Sequence, residues 1–366
     1  MERDKESKPK VLRWGIISTA NIARKFVRAV RGLQDENVVV LGVASRSLER
    51  AQEWAKELNI PRTYGSYSAL LEDSDIDAVY IPTPTALHAE LCLQAANHKK
   101  HILCEKPVAN SAEELRKVIA ACHENAVQFM DGVQWNHNLR NQEMQKCFAS
   151  IGAIRRVNSS FAIPGPPHGD IRFQTKLEPF GCLGDLGWYN IRACLFAFGH
   201  NNLPDKVWAT AKFSEEQAII DCTAVLWFSD NKMASFDCSF LQTAWRQRFE
   251  LCGEKGSVLC HDFVIPWEGS LKDDQKYSVP SAKFEIHYSQ TADAPPNSPL
   301  MTSVEVVEAP IQEGYLQEIN MVKAFASAVF SEKCNKEWPE LSLNTQLILD
   351  ALYESCCSDN KIVTLS

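Results

Sequence analysis

The chain has 366 residues, 45% hydrophobic and 23% charged, with 38 Lys and Arg against 46 Asp and Glu for a formal net charge of −8. That length exceeds one ordinary core and suits two domains, and the acidic balance weighs against a nucleic-acid partner. Residues 1–10 are charged throughout, without the apolar stretch of a signal peptide, and no apolar run approaches the roughly 20 residues that span a bilayer. The 13 Cys are scattered without Cys-x-x-Cys spacing and the nine His form no ligand pattern. A cytoplasmic protein with reduced thiols, a disordered leader and no metal is therefore expected.

From residue 11 to about 132, strand and helix signals alternate. Strands are expected at 11–17, 38–44, 78–81, 101–104 and 127–130, with helices at 21–31, 48–58, 67–71, 86–97 and 112–123. The short apolar run at 101–104 reads as a strand of the sheet. Continuous apolar strands separated by helices predict a parallel sheet covered on both faces, a βαβ dinucleotide fold. After Gly132 a helix at 141–148 leads into consecutive strands at 154–162, 206–213, 218–229, 232–241 and 246–252. Strands joined by tight turns imply an antiparallel sheet, hence an α+β second domain over 133–366. Residues 269–303, rich in Ser, Pro, Asp and Lys, read as a long surface excursion. Helices at 313–330 and 343–356 and a strand at 362–365 close the chain.

The loops after these strands hold the chemistry, because ligands of parallel α/β sheets bind at the carboxyl ends of the strands. The first strand runs into Ser18-Thr19-Ala20-Asn21-Ile22-Ala23. Against the dinucleotide fingerprint G-x-G-x-x-G/A this places Ser18, Ala20 and Ala23 at the three key positions. These residues are small enough to let backbone approach a pyrophosphate at a helix N-terminus, although an ordinary βα turn is the competing reading. The second strand ends in Ala44-Ser45-Arg46-Ser47, with Arg50 one turn on and no acid before Glu49. Arg46 suits a ribose 2′-phosphate, with the Ser45 and Ser47 hydroxyls donating to it, and so favours NADP over NAD. Next comes Ile81-Pro82-Thr83-Pro84, whose prolines stiffen a loop where a nicotinamide ribose would sit. Thr83 and His88 are candidates there, His88 either bonding the ribose or capping its helix. The run 101–104 delivers Cys104-Glu105-Lys106-Pro107, a Lys between a carboxylate and a φ-locking Pro.

Taken together, residues 15–23, Ala44-Ser45-Arg46, Tyr80 to Thr85, Glu105-Lys106-Pro107 and Gly184-Asp185-Leu186-Gly187-Trp188-Tyr189 resemble the glucose–fructose oxidoreductase / inositol dehydrogenase / rhizopine catabolism family. The Asp-x-Gly-x-Tyr version of the last motif looks most like the NADP-dependent dihydrodiol and D-xylose 1-dehydrogenases of that family. The resemblance implies a Rossmann domain followed by an α+β domain whose largely antiparallel open sheet supplies the substrate floor and a homodimer interface. It further implies hydride transfer at a secondary alcohol or hemiacetal carbon of a sugar, polyol or vicinal diol. Tyr189 then transfers the proton, its pKa lowered by the nearby ammonium of Lys106, which also anchors the hydroxyl. Asp185 binds a substrate hydroxyl or serves as a helix cap, and Glu105 fixes Lys106 or meets the cofactor ribose. Trp135, His137, Arg172 and Trp188 are expected to line the pocket, and His168 to border it on a flap. A cis bond before Pro107 is also compatible with the family. Asn136 stands where relatives carry Arg. Two other readings stay open: a non-catalytic dinucleotide-binding regulator, and a lyase or glycosidase holding NAD tightly.

Overall fold

Six short strands line up in the order β3-β2-β1-β4-β5-β6, every neighbouring pair parallel. They are β1 (Leu12–Ile17), β2 (Val38–Ala44), β3 (Arg62–Tyr64), β4 (Ala78–Ile81), β5 (His101–Cys104) and β6 (Phe129–Asp131). This is a computed structural model that describes residues 11–33, 37–266, 282–289, 302–309 and 316–365; the expected leader at 1–10 lies outside them. Helices α1 (Ile22–Arg31), α2 (Leu48–Glu57), α3 (Tyr67–Glu72), α4 (His88–Asn97) and α5 (Ala112–Glu124) connect the strands. β4 is buried at all four positions, as a strand covered on both faces must be. The strand order reverses between β1 and β4, which opens a crevice above their carboxyl ends.

The second sheet runs β13-β12-β11-β10-β9-β8-β14, with β7 paired to β10. Its members are β7 (Ile154–Pro164), β8 (Lys206–Phe213), β9 (Ile219–Trp227), β10 (Met233–Gly253), β11 (Gly256–Cys260), β12 (Ala282–Ser289), β13 (Thr302–Ala309) and β14 (Val363–Thr364). Here the strands expected at 232–241 and 246–252 form one continuous element that doubles back on β7. Met233 lies opposite Arg156 and Cys238 opposite Phe161, then Gln247 opposite Phe161 and Cys252 opposite Arg156. The excursion expected at 269–303 needs correcting where it is described, since β12 and the start of β13 form an antiparallel pair. Phe284 and Ile286 alternate into the core there, a signal diluted by the polar residues around them. Residues 269–281 and 290–301 lie outside the described residues.

Helices α6 (Leu139–Lys146), α7 (Phe148–Ile151), α8 (Gly181–Asp185) and α9 (Gly187–Phe198) belong to this half, with α10 (Gln317–Phe330) and α11 (Glu337–Cys357) following. α10 returns to the first sheet. Phe325, Val322 and Ile319 join Trp14 and Phe26 in one apolar cluster, and the Trp14 and Phe325 rings are 4.9 Å apart. α11 is tied to the start of α5 by the Ala112 N–H, which donates to Asp350 Oδ2 at 2.7 Å. Among the described residues no helix is long and apolar enough to cross a membrane, and no group of His, Cys, Asp or Glu is arranged to hold a metal.

Candidate active site

β5 ends with buried Cys104, and the chain turns through Glu105, Lys106 and a cis bond into Pro107. The Lys106 ammonium donates to Asp185 Oδ1 at 2.5 Å and to the Asp185 carbonyl at 2.7 Å. It lies 5.4 Å from the centroid of the Tyr189 ring. Asp185 ends α8 and Tyr189 sits in the first turn of α9, the two helices being broken at Leu186. Asp185 is therefore not an N-cap. Gly184 lets α8 approach the cis-Pro loop: a Cβ there would stand 2.7 Å from the Phe180 Cβ and 3.1 Å from the Pro107 Cγ.

Asp185 is held from its other side as well. Arg172 Nε donates to Asp185 Oδ2 at 2.8 Å, and its guanidinium also meets Asp170 at 3.1 Å. Burial pushes the Asp185 pKa up, but the Lys106 ammonium and the Arg172 guanidinium overcome this and bring it to about 2. Asp185 is a carboxylate at any working pH.

Tyr189 corrects an expectation. Its pKa is raised well above the ordinary value, by burial first and then by the carboxylates of Glu105, Asp185, Asp131 and Glu318. The ammonium expected to lower it pairs with Asp185 and lies over the ring. That hydroxyl has no hydrogen-bond partner among the described residues. Glu105 in turn accepts from the buried Tyr80 hydroxyl at 2.6 Å instead of fixing the Lys106 ammonium. Gly132 makes room for it, since a Cβ there would meet Glu105 Oε1 at 2.9 Å.

The crevice beside this cluster keeps the shape of a dinucleotide site despite its missing glycines. Ser18 takes φ +118°, a backbone conformation that glycine adopts freely and serine rarely, so the sharp turn survives the substitution. Thr19 is buried, Ala20 half-buried, and Asn21 and Ile22 exposed at the start of α1. α1 carries no acid in its first turn and no side-chain cap, so its dipole favours an anion there, with the Ala23 and Arg24 N–H groups bonded to the Ala20 and Asn21 carbonyls. At the end of β2, Ser45 is buried while Arg46 and Arg50 are exposed, and Ser47 is engaged in capping α2 by accepting from the Arg50 N–H. Pro82 is buried, and the Thr83 hydroxyl is buried without a partner, an orphan that a bound ribose would satisfy. The donor set fits a phosphorylated dinucleotide.

Other expected residues stand elsewhere. His88 is 1% exposed, with both ring nitrogens against backbone carbonyls, so it neither reaches a ribose nor caps α4 with its ring. Trp135 and Trp188 do not line the pocket; both are core residues, Trp135 packed edge-on against Phe196 and Phe263. His137 meets Trp338 edge-on, and burial pushes its pKa down to about 4. His168 is exposed. Sequence reasoning missed Tyr80, Asp170 and the Glu178 carboxylate, which accepts from the Thr85 N–H at 3.1 Å and hydroxyl at 2.6 Å. It also missed the buried Arg192–Asp131 ion pair one turn beyond Tyr189. Apart from Asp170, which meets Arg172 two residues on, these contacts join segments far apart in the chain, and no local spacing announces them.

Residues 12–133 match the oxidoreductase family with an NAD-binding Rossmann fold, and residues 144–259 match the GFO/IDH/MocA C-terminal domain. The chain belongs to this family of oxidoreductases. It is 31% identical to D-xylose 1-dehydrogenase (NADP(+)) 2 of Haloferax volcanii over 93% of its own length and 96% of the relative's. It is 33% identical to trans-1,2-dihydrobenzene-1,2-diol dehydrogenase of Danio rerio, covering 62% of this chain and 68% of that one. Among solved structures, a 3-ketoreductase from Actinomadura kijaniata, crystallised with NADP and TDP-benzene, superposes with a TM-score of 0.80 at 26% identity. That match covers 95% of this chain and 98% of the other.

Proposed function

We propose that the protein is an NADP-dependent oxidoreductase acting at a secondary alcohol or hemiacetal carbon of a sugar, polyol or vicinal diol. The observation that carries this reading is the Lys106–Asp185–Tyr189 cluster at the carboxyl end of β5. When bound, the cofactor supplies the hydride acceptor or donor. The chain's residues handle the oxygen and its proton. Two of the three ammonium protons of Lys106 go to Asp185, which leaves one for a substrate oxygen. The Tyr189 phenol, protonated at neutral pH, gives its proton to a forming alkoxide in reduction and recovers it in oxidation. Asp185, clamped by two cations, orients Lys106 more than it offers a free acceptor.

Arg46 and Ser45 are assigned to the 2′-phosphate, which agrees with the NADP-dependent relatives. The face of the second sheet that carries Asp237, Arg246 and Arg248 is the surface on which a second copy would pack to form a homodimer. Cysteines without disulfides suit the cytoplasm.

The test is NADP-linked turnover of D-xylose and of trans-1,2-dihydrobenzene-1,2-diol by wild type, Lys106→Ala and Tyr189→Phe. Wild-type turnover that collapses in both variants, with NADPH affinity within a few-fold, is the expected result. Variants as active as wild type would remove these residues from the chemistry.

A further inference from the structure

β4 and β5 pair from Ala78 opposite His101 to Ile81 opposite Cys104, and a last backbone bond joins the Glu105 N–H to the Ile81 carbonyl at 3.1 Å. Beyond it the strands part. Thr83 continues into the loop before α4, and Lys106 and Pro107 into the loop before α5. His88 fills the space between them. Its Nδ1 lies 2.6 Å from the Pro107 carbonyl oxygen, and its Nε2 lies 2.6 Å from the Thr83 carbonyl oxygen. No other side-chain hydrogen bond joins these two loops among the described residues.

Both carbonyls are acceptors. Burial, opposed by these carbonyls, pushes the His88 pKa down to about 4, so the ring is neutral in working conditions and carries one N–H. That N–H donates to one carbonyl, and the other nitrogen meets the second carbonyl without a proton. The ring is thus a spacer of fixed width as well as a donor.

We propose that His88 is a positioning residue that sets the distance between Lys106 and the Thr83 side of the cofactor crevice. It acts through the Pro107 peptide, the next link of the chain after Lys106, and the inference rests on the reading of Lys106 as the hydroxyl anchor. Lys106 has little freedom to compensate, because two of its protons are committed to Asp185. A displacement of about 1 Å at a reacting group can cost on the order of 100-fold in rate.

The experiment compares wild type, His88→Ala, His88→Asn and Lys106→Ala as full-length proteins. NADPH affinity is read from tryptophan quenching, and kcat and KM are measured on D-xylose or the dihydrodiol, whichever the wild type oxidises. His88→Ala should lose on the order of 10–100-fold in kcat while NADPH affinity and KM stay within about threefold. His88→Asn, whose amide reaches one carbonyl, and imidazole added to His88→Ala should each restore part of the loss. Unchanged kcat in His88→Ala would overturn the proposal. So would a loss of kcat matched by equal losses in NADPH affinity and thermal stability, without rescue. If His88→Ala does not fold, the same comparison is made on His88→Asn. Lys106→Ala separates the two levels: wild-type turnover there sinks the catalytic reading itself, whereas a dead Lys106→Ala beside a fully active His88→Ala sinks only the positioning role.

Discussion

Asp185 is the residue on which the site turns, because among the described residues it alone touches both cations. Its folded-state pKa of about 2 lies below the ordinary 3.8, so the stability it contributes is fully present above pH 3.8 and is lost as pH falls through about 2. The size is about 2 kcal/mol. Asp185→Asn should lower stability to denaturant by about that amount at neutral pH, with the gap to wild type closing as the pH is taken down toward 2. A gap that stays constant with pH would mean the ion pairs are not formed in solution. Tyr189 makes the opposite kind of statement. With its pKa raised, the phenol holds its proton through the neutral range. Oxidation should therefore speed up with pH, kcat/KM still rising near pH ~10, while reduction stays flat across neutrality. A plateau of oxidation near neutral pH would show that something lowers the tyrosine after all.

At the scale of elements, the loop between β1 and α1 shows how a sharp turn survives the erosion of its motif. Ser18 at φ +118° keeps the bend at a strain of about 1–3 kcal/mol, which persists only because neighbours over-determine it; one of these is the Ala44 carbonyl that accepts from the Ser18 N–H. Ser18→Gly should raise stability by about 1 kcal/mol, the relieved strain exceeding the entropy glycine adds to the unfolded chain. NADPH affinity should be kept or improved, and a melting temperature that falls would contradict the strained-turn account. The βαβ order was legible because β1, β2, β4 and β5 are apolar runs long enough to register. β3, three half-buried residues, was not. Glu105, Lys106, Asp185 and Tyr189 could be named from their motifs, and Lys106 does meet Asp185, 79 positions away. What periodicity and motif hide is direction. Trp135 and Trp188 sit in the right segments yet turn into the core, and His88 points at the Thr83 and Pro107 carbonyls.

For the whole molecule, α10 shows that the two halves of the chain are interleaved. Coming from the far end of the sequence, it covers β1 through Phe325 and Val322 and brings Glu318 to Lys25 of α1 at 2.5 Å. α1 is thus braced by the last quarter of the chain, and Asp185 and Tyr189 reach Lys106 at the end of β5 from α8 and α9. The central claim is that this crevice binds NADP for hydride transfer beside Lys106 and Tyr189. It is tested most directly by titrating wild type and Arg46→Asp with NADPH and NADH, following quenching of the nine tryptophans. The account predicts that wild type binds NADPH at least tenfold more tightly than NADH, the 2′-phosphate being worth about 1.4 kcal/mol or more, and that Arg46→Asp reverses the preference. Binding of neither dinucleotide would contradict it, and tighter binding of NADH by wild type would remove NADP from the mechanism.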